Sequence, residues 1–566
     1  MLSTKPIGGS LFTDSDVSVD GHRWAIGIAH TPWMAMAWPS TYGGRRHGNP
    51  FSKALGRRAL GGATDRPMPE DEPEFGSLWE HVSNSGFDRR RSVAMATSRY
   101  LLRNAFLLLF FPLSSLLAQQ QSGPGTSGMR KDIPGQTTNQ QDSMESMDHA
   151  QMQDMGGMGG MGDLMEEMHP KTFLQEIQHH ASSGTSAEPN STPSPMLMTM
   201  KGQWMLMFHA NAFITDTQQS SLRGGDKLYS TNWFMPMAER ALGPGQLTSR
   251  AMFSLEPATV TGERYPLLFQ QGETAYGVPI ADGQHPHDFF MEIAALYDLH
   301  LGKHRLLSFY FAPEGDPAIG PTAYPHRASA AENPVGTLGH HQEDSTHIAN
   351  DVVTVGLTHG IVRIEGSGFH GREPDEHRWN IDQGKIDSWS TRLTVQPGQN
   401  WSGQYSYGRI TSPEALFPAE DQARMTASVM YNKAFTDGNL ASTAAWGRTR
   451  SLEDSAKDNS YLFESTLRFM KRNYAWTRLE NAGRSNELLV GEHPLPQGFT
   501  EQPLTHVQAY TFGYDREFGK FPHLASAIGA QVTTFGVGHP LQSIYGTDPV
   551  AVSVFFRIRP VSKEDR

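Results

Sequence analysis

The chain contains no cysteine. That absence excludes a disulfide framework, a thiolate metal site and a cysteine nucleophile, and it suits a protein that crosses an oxidising compartment unfolded. Apolar residues are also scarce, at 37%. After residue 120 no apolar run is long enough for a membrane-spanning helix, which argues against a helical membrane protein. Excess positive charge is missing too: the net charge of −12 argues against a nucleic-acid partner. No G-x-S-x-G, Walker loop or H-E-x-x-H occurs. The run Asp344-Ser-Thr-His347 crowds a serine, a histidine and an aspartate into consecutive positions instead of bringing them together across a fold. The expectation is therefore a protein that is not an enzyme, with a hydrolase on lipid or peptide as the catalytic alternative.

What the sequence has in quantity is alternation. Between Met200 and Arg559 about sixteen short stretches alternate apolar and polar residues, joined in turn by tight and long connections. Seven connections are short, at 242–246, 301–305, 358–361, 396–400, 435–439, 470–473 and 517–520, and most carry the glycine, proline, asparagine or aspartate of a hairpin turn. Eight longer ones fall at 215–227, 257–287, 313–347, 371–385, 411–421, 449–459, 481–505 and 537–548. The last stretch shows the period most clearly. Val550, Val552, Val554, Phe556 and Ile558 share one side, and Ala551, Ser553, Phe555, Arg557 and Arg559 share the other. A soluble β-sandwich alternates equally well, but its inward face would be richer in apolar residues than this Arg/Glu/Ser/Thr face. The expected fold is all-β: a transmembrane antiparallel β-barrel of about sixteen strands over residues 196–566, set in outer-membrane lipid by the outer-membrane assembly machinery.

The single strongly apolar run sits far from the N-terminus. Basic residues within 95–104, an apolar core over 105–113 and a small residue at Ala118 read as a signal peptide over 95–118. A lone membrane anchor is the alternative. Residues 1–94 show no sustained period and are expected to be an upstream stretch read through in error and disordered, with translation starting at Met95. Residues 119–195 are rich in Gly, Ser, Gln and Met and are expected to form a disordered periplasmic tether.

Within that tether Met144, Met147, Met152, Met155, Met158, Met161, Met165 and Met168 recur among glycines, with His149 and His169 beside them. Thioether sulfur prefers Cu(I), and imidazole with carboxylate accepts Cu(II), so copper is the candidate ion. The alternative is a linker whose methionines reflect composition alone. The segment from Met147 to Met155 resembles the Met/Asp/His segments of outer-membrane copper-resistance proteins of bacterial copper operons, which join such a tether to a barrel. A longer resemblance rests on 264–277, Gln284-His-Pro-His-Asp288, Tyr324-Pro-His-Arg-Ala-Ser-Ala330 and Asp344-Ser-Thr-His-Ile-Ala-Asn350. Through these motifs residues 196–560 are similar to a group of bacterial outer-membrane barrel proteins, which implies a topology and brings no activity.

Two further constellations lie in the barrel region. His285, His287, His340, His341 and His347 gather in the long connections, with Asp288, Glu343 and Asp344 nearby, and neutral imidazoles with carboxylates are ligands for Zn²⁺ or Cu²⁺. The plainer reading gives each histidine a backbone or aromatic partner. Strand parity turns Arg250, Glu256, Glu292, Arg363, Glu365, Arg392, Glu464, Arg468, Arg478 and Arg557 inward, a ring of mixed sign suited to internal pairing or to selectivity in a pore. The expected function is porin-like passage or handling of a small solute, with copper a candidate. The alternative is a closed barrel with a surface-loop binding or structural role.

Overall fold

The computed structural model describes residues 170–344, 349–519 and 521–561. The signal-peptide reading, the tether methionines from Met144 to Met168, His149, His169 and His347 lie outside these residues.

Sixteen antiparallel strands close into one barrel: β1 (Trp204–Gln219), β2 (Asp226–Leu242), β3 (Gly245–Phe253), β4 (Phe290–His300), β5 (Arg305–Glu314), β6 (Asn350–His359), β7 (Val362–His370), β8 (Ser388–Gly398), β9 (Trp401–Ile410), β10 (Gln422–Phe435), β11 (Gly438–Ser451), β12 (Lys457–Phe469), β13 (Asn473–Ser485), β14 (Pro503–Phe518), β15 (Leu524–Val537) and β16 (Val550–Pro560). Each strand pairs with its sequence neighbours, and β16 returns to β1 from Gln219↔Ala551 to Ala212↔Ile558. Below that point β16 ends, and the short strand Leu197–Lys201 takes over the free half of β1, from Leu197↔Phe208 to Lys201↔Trp204. The ring is therefore closed, with only residues 209–211 of β1 lacking a ladder partner on that side, and a closed ring is what a strand structure in hydrocarbon requires.

The seven short connections all fall where turn chemistry predicts them, between β2 and β3, β4 and β5, and so on to β14 and β15. Period two sorts the side chains by face. Outward-facing Phe309, Val355, Ile364, Leu393, Tyr405, Phe463 and Tyr510 are exposed on the barrel wall, with Phe309↔Val355 and Leu393↔Tyr405 as cross-strand neighbours. Towards the turn rim Trp401 packs on Tyr431 at 4.5 Å, and towards the loop rim Trp389 packs on Tyr407 at 5.6 Å, which sets aromatic rings at both ends of the apolar band. A closed barrel with an apolar exterior belongs in an outer membrane. Among the described residues no helix is long and apolar enough to span a bilayer, so the crossing is made by strands.

The lumen is filled. Helix α1 (Phe173–His179) starts at a capping box, in which Thr172 accepts from the Gln175 amide and the Gln175 side chain accepts from the Thr172 amide. Its Phe173, Leu174 and Ile177 pack with Ala187 and Leu306 near the turn rim. The chain after α1 then runs up the inner wall and back. Arg250 donates to the carbonyls of His180, Ser182 and Gly184, Arg392 to the Thr185 hydroxyl, Gln396 to Glu188 O, and Ser402 to Ala187 O. Gly184 sits at φ +62°, where a Cβ would meet Asp316 Cβ at 2.6 Å, so only glycine fits this bend. This corrects the boundary expected for the disordered stretch at residue 195. Its last part, 170–195, is folded, because lumen side chains supply the hydrogen bonds that its composition cannot.

The connection between β5 and β6 dips inward from the loop side. Arg327 on it is fully buried, donating to Glu464 Oε1 at 2.6 Å and Asp344 Oδ2 at 2.9 Å. Glu464 also takes Arg478 Nε at 3.2 Å and the Ser329 hydroxyl at 2.9 Å. Farther along, Arg478 donates to Val335 O, Glu480 accepts from the Leu338 amide, and Ser460 donates to Glu343.

The loop rim is reported by Tyr276, which is exposed at the tip of a hairpin between β3 and β4. With turns facing the periplasm, a cysteine at Tyr276 should be labelled on whole cells by an impermeant maleimide, and one at Asp437 in the β10–β11 turn should not. The reverse pattern would invert the barrel.

Candidate functional site at the loop-side mouth

The structure brings three ligand-type side chains to one point from two distant connections. Glu273 begins a small hairpin between β3 and β4, paired to Ile280. His285 follows residues 283–284, which are held by pairing with Tyr265 and Pro266. His341 lies on the helical turn α2 (His340–Glu343) in the inward connection. The Glu273 carboxylate bridges them, with Oε2 against His285 Nε2 and Oε1 2.5 Å from His341 Nε2. All three offer ligand atoms within 4.8 Å of one another. Gln284 Nε2 donates to the same carboxylate at 3.2 Å, and its Oε1 lies 2.9 Å from His340 Nε2. The His340 and His341 rings meet edge to face at 4.0 Å. On the far side of His341, Glu373 stands 3.9 Å from Nδ1, beyond hydrogen-bond reach and close enough to act on the ring by charge alone.

Burial pushes His340 well below the usual imidazole range, and it pushes His341 down against the pull of Glu373. Both are therefore neutral at pH 7, the form that ligates a metal. His287 differs. Burial opposes its charge, but the Glu256 carboxylate 2.9 Å from Nδ1 outweighs it and holds the imidazole above its ordinary value. His287 is thus tied to Glu256 and lies outside the Glu273 cluster. Two imidazoles and a carboxylate suit Zn²⁺ or Cu²⁺. Glu273 was not among the sequence candidates, since a single glutamate in a long connection carries no periodic or spacing signal.

Glu256 is also not a strand residue: β3 ends at Phe253, and Glu256 opens the helical turn 256–259. The other inward charges pair with one another. Arg250 meets Glu292 at 2.6 Å, Arg363 and Arg392 share Glu365 at 3.0 and 2.9 Å, and Arg557 reaches Asp515 at 3.2 Å and Glu332 at 2.9 Å. Arg468 is half-buried at the turn rim, over the Tyr474 ring at 5.7 Å.

Two cavities border the inward connection. One of about 110 Å³ on the loop side is lined by His341, Glu414, Glu420, Arg424 and Glu501, and one of about 150 Å³ on the turn side by His209, His326, Arg468 and Arg559. Burial raises Glu414 to about 8 and Glu501 to about 7, and Glu501 adds to the rise at Glu414.

No protein-family model matches the sequence, and no curated protein does. Among solved structures, the anion-selective porin from Comamonas acidovorans is similar at 10% identity over 63% of this chain and 99% of that one, with a TM-score of 0.39. OmpF of Salmonella typhi, solved with daunomycin, is 9% identical over 64% and 100%, also at 0.39. OprB of Pseudomonas putida is 9% identical over 63% and 94%, at 0.39. At these values the barrel itself, seen directly in its strand pairing, carries the argument.

Proposed function

We propose that this outer-membrane barrel is a porin-like passage for a small solute, held shut by its own N-terminal segment and inward connection. The solute class is a transition-metal cation collected at the loop-side mouth. The observation that carries the metal reading is the convergence of Glu273, His285 and His341 on one point beside a cavity rich in carboxylates. Copper is a candidate within that class, and the methionine tether would offer it a second contact.

The test is a Zn²⁺ or Cu²⁺ titration of the solubilised full chain. Glu273→Gln keeps the size of the side chain and removes its charge, so affinity should fall by about tenfold or more, about 1.4 kcal/mol per factor of ten. His287→Ala should leave it unchanged, since His287 serves Glu256. Equal affinity in the Glu273 variant and the parent would sink the metal site.

A second reading, a permanently closed barrel whose loops bind a ligand, draws support from the buried Arg327–Glu464–Arg478 network across the lumen. Ion flow that appears on metal addition or under voltage belongs to the passage. Silence under both belongs to the closed barrel.

A further inference from the structure

Among the described residues, seven of the eight buried methionines gather in one place, Met430 on β10 being the exception. Met196, Met205, Met207, Met235, Met237, Met252 and Met291 form one buried cluster with Trp233, and the four other buried apolar clusters contain no methionine. Strand geometry explains the gathering. Period two puts Met205, Met207 and His209 on the inner face of β1, and Met235 and Met237 on the inner face of β2. Register then sets Met207 opposite Met237 and His209 opposite Met235. Met198, on the short strand, lies opposite Met207 from the other side.

Two imidazoles close over this patch. His326, on the inward connection, places Nε2 3.3 Å from Met252 Sδ. Its ring lies 4.3 Å from Trp233 and 5.8 Å from His209. The Nδ1 atoms of both histidines are buried without a hydrogen-bond partner. Both rings line the turn-side cavity, so an ion entering from the turn rim reaches them.

Leucine or isoleucine would fill such a surface with better-defined rotamers, and methionine serves a core mainly where gaps are irregular. Thioether sulfur is uncharged, soft and a weak acceptor, and with neutral imidazole it favours Cu(I) over ions that need carboxylate oxygens. We propose that this patch is a binding site for a soft monovalent metal ion, Cu(I), held by His326 and Met252 with thioethers from Met235 and Met237 and reached from the turn-side cavity. It shares no residue with the Glu273 cluster, so either site can fail alone.

The experiment is an anaerobic competition titration of Cu(I) on the refolded full chain with a chromophoric Cu(I) chelator. The parent is compared with Met235→Leu/Met252→Leu and with His326→Gln, all retaining any ion held by the N-terminal methionines. Leucine conserves volume and apolarity, so the double variant keeps the fold, and heat-modifiable migration on gels verifies it. The expected result is the loss of one equivalent of tightly bound Cu(I) in both variants, with sulfur scattering at copper reduced in X-ray absorption spectra of the double variant. Zn²⁺ binding at the loop-side mouth should be unchanged. Parent-like Cu(I) stoichiometry and affinity in a folded double variant would overturn the proposal and leave the cluster as packing.

Discussion

Arg327→Met is expected to destabilise the barrel by about 3–5 kcal/mol, because it removes one partner of a buried ion network and leaves the others in place. Glu464 keeps Arg478, but Asp344 loses the guanidinium 2.9 Å away with no solvent to replace it. Burial already pushes Asp344 above the usual carboxylate range, and Arg327 pulls it back. Without Arg327 its folded-state pKa rises further above the unfolded value. A carboxyl of that kind is tolerated while protonated, and its stability contribution is lost as pH rises from the unfolded pKa through the folded one. The deficit of the variant should therefore be smaller near pH 4 than at pH 8. Urea titration in lipid vesicles at the two pH values measures this, and a deficit that is equal at both, or larger at pH 4, would remove Asp344 from the account. Limited proteolysis should also cut between residues 315 and 344 faster in the variant, since Arg327 anchors that connection to β12.

Removing both inward segments, 170–195 and 316–343 with a short Gly/Ser replacement for the second, should turn a closed barrel into a wide pore. The strands keep every ladder partner in such a variant, because neither segment contributes to the ring. Sixteen strands enclose an aqueous channel once nothing fills it. By hydrogen bonds the N-terminal segment lies against β3, β4, β8, β9 and β10, and the inward connection against β1, β2, β3, β5, β7, β8, β9, β11 to β13 and β16, so the two overlap at β3, β8 and β9 and otherwise cover different parts of the wall. Single removals should consequently give slower permeation than the double one. Swelling of proteoliposomes in sugar solution reads this directly, with the intact chain close to protein-free vesicles. A double variant that migrates as a folded barrel yet swells no faster than the intact chain would show that the wall itself, not the two segments, closes the lumen.

The parts of this architecture that were legible in the sequence are those fixed by local chemistry. Turn residues such as Gly243, Gly360 and Asp437 sit between runs of period two, and in β16 the parity of position alone separates Val554 from Arg557. The filled lumen was not legible in this way. The bonds that Arg250, Arg392 and Asn432 give to residues 180–191, from between 66 and 241 positions away, end on backbone carbonyls and two small hydroxyls, which have no distinctive sequence signature. The one local cue was Thr172 with Gln175 three positions on, a helix start within a stretch whose composition otherwise suggests disorder. The loop-side cluster was half visible. Its histidines stood out, while Glu273 and the separate pairing of His287 with Glu256 depend on how two connections fold against each other.

The central claim, that the chain closes its own lumen, is tested most directly by single-channel recording in a planar bilayer. The intact refolded protein should give no stable conductance steps at modest voltage, and the protein lacking both inward segments should give large, long-lived ones under the same conditions. Stable open steps from the intact chain, equal in size to those of the doubly shortened one, would contradict it.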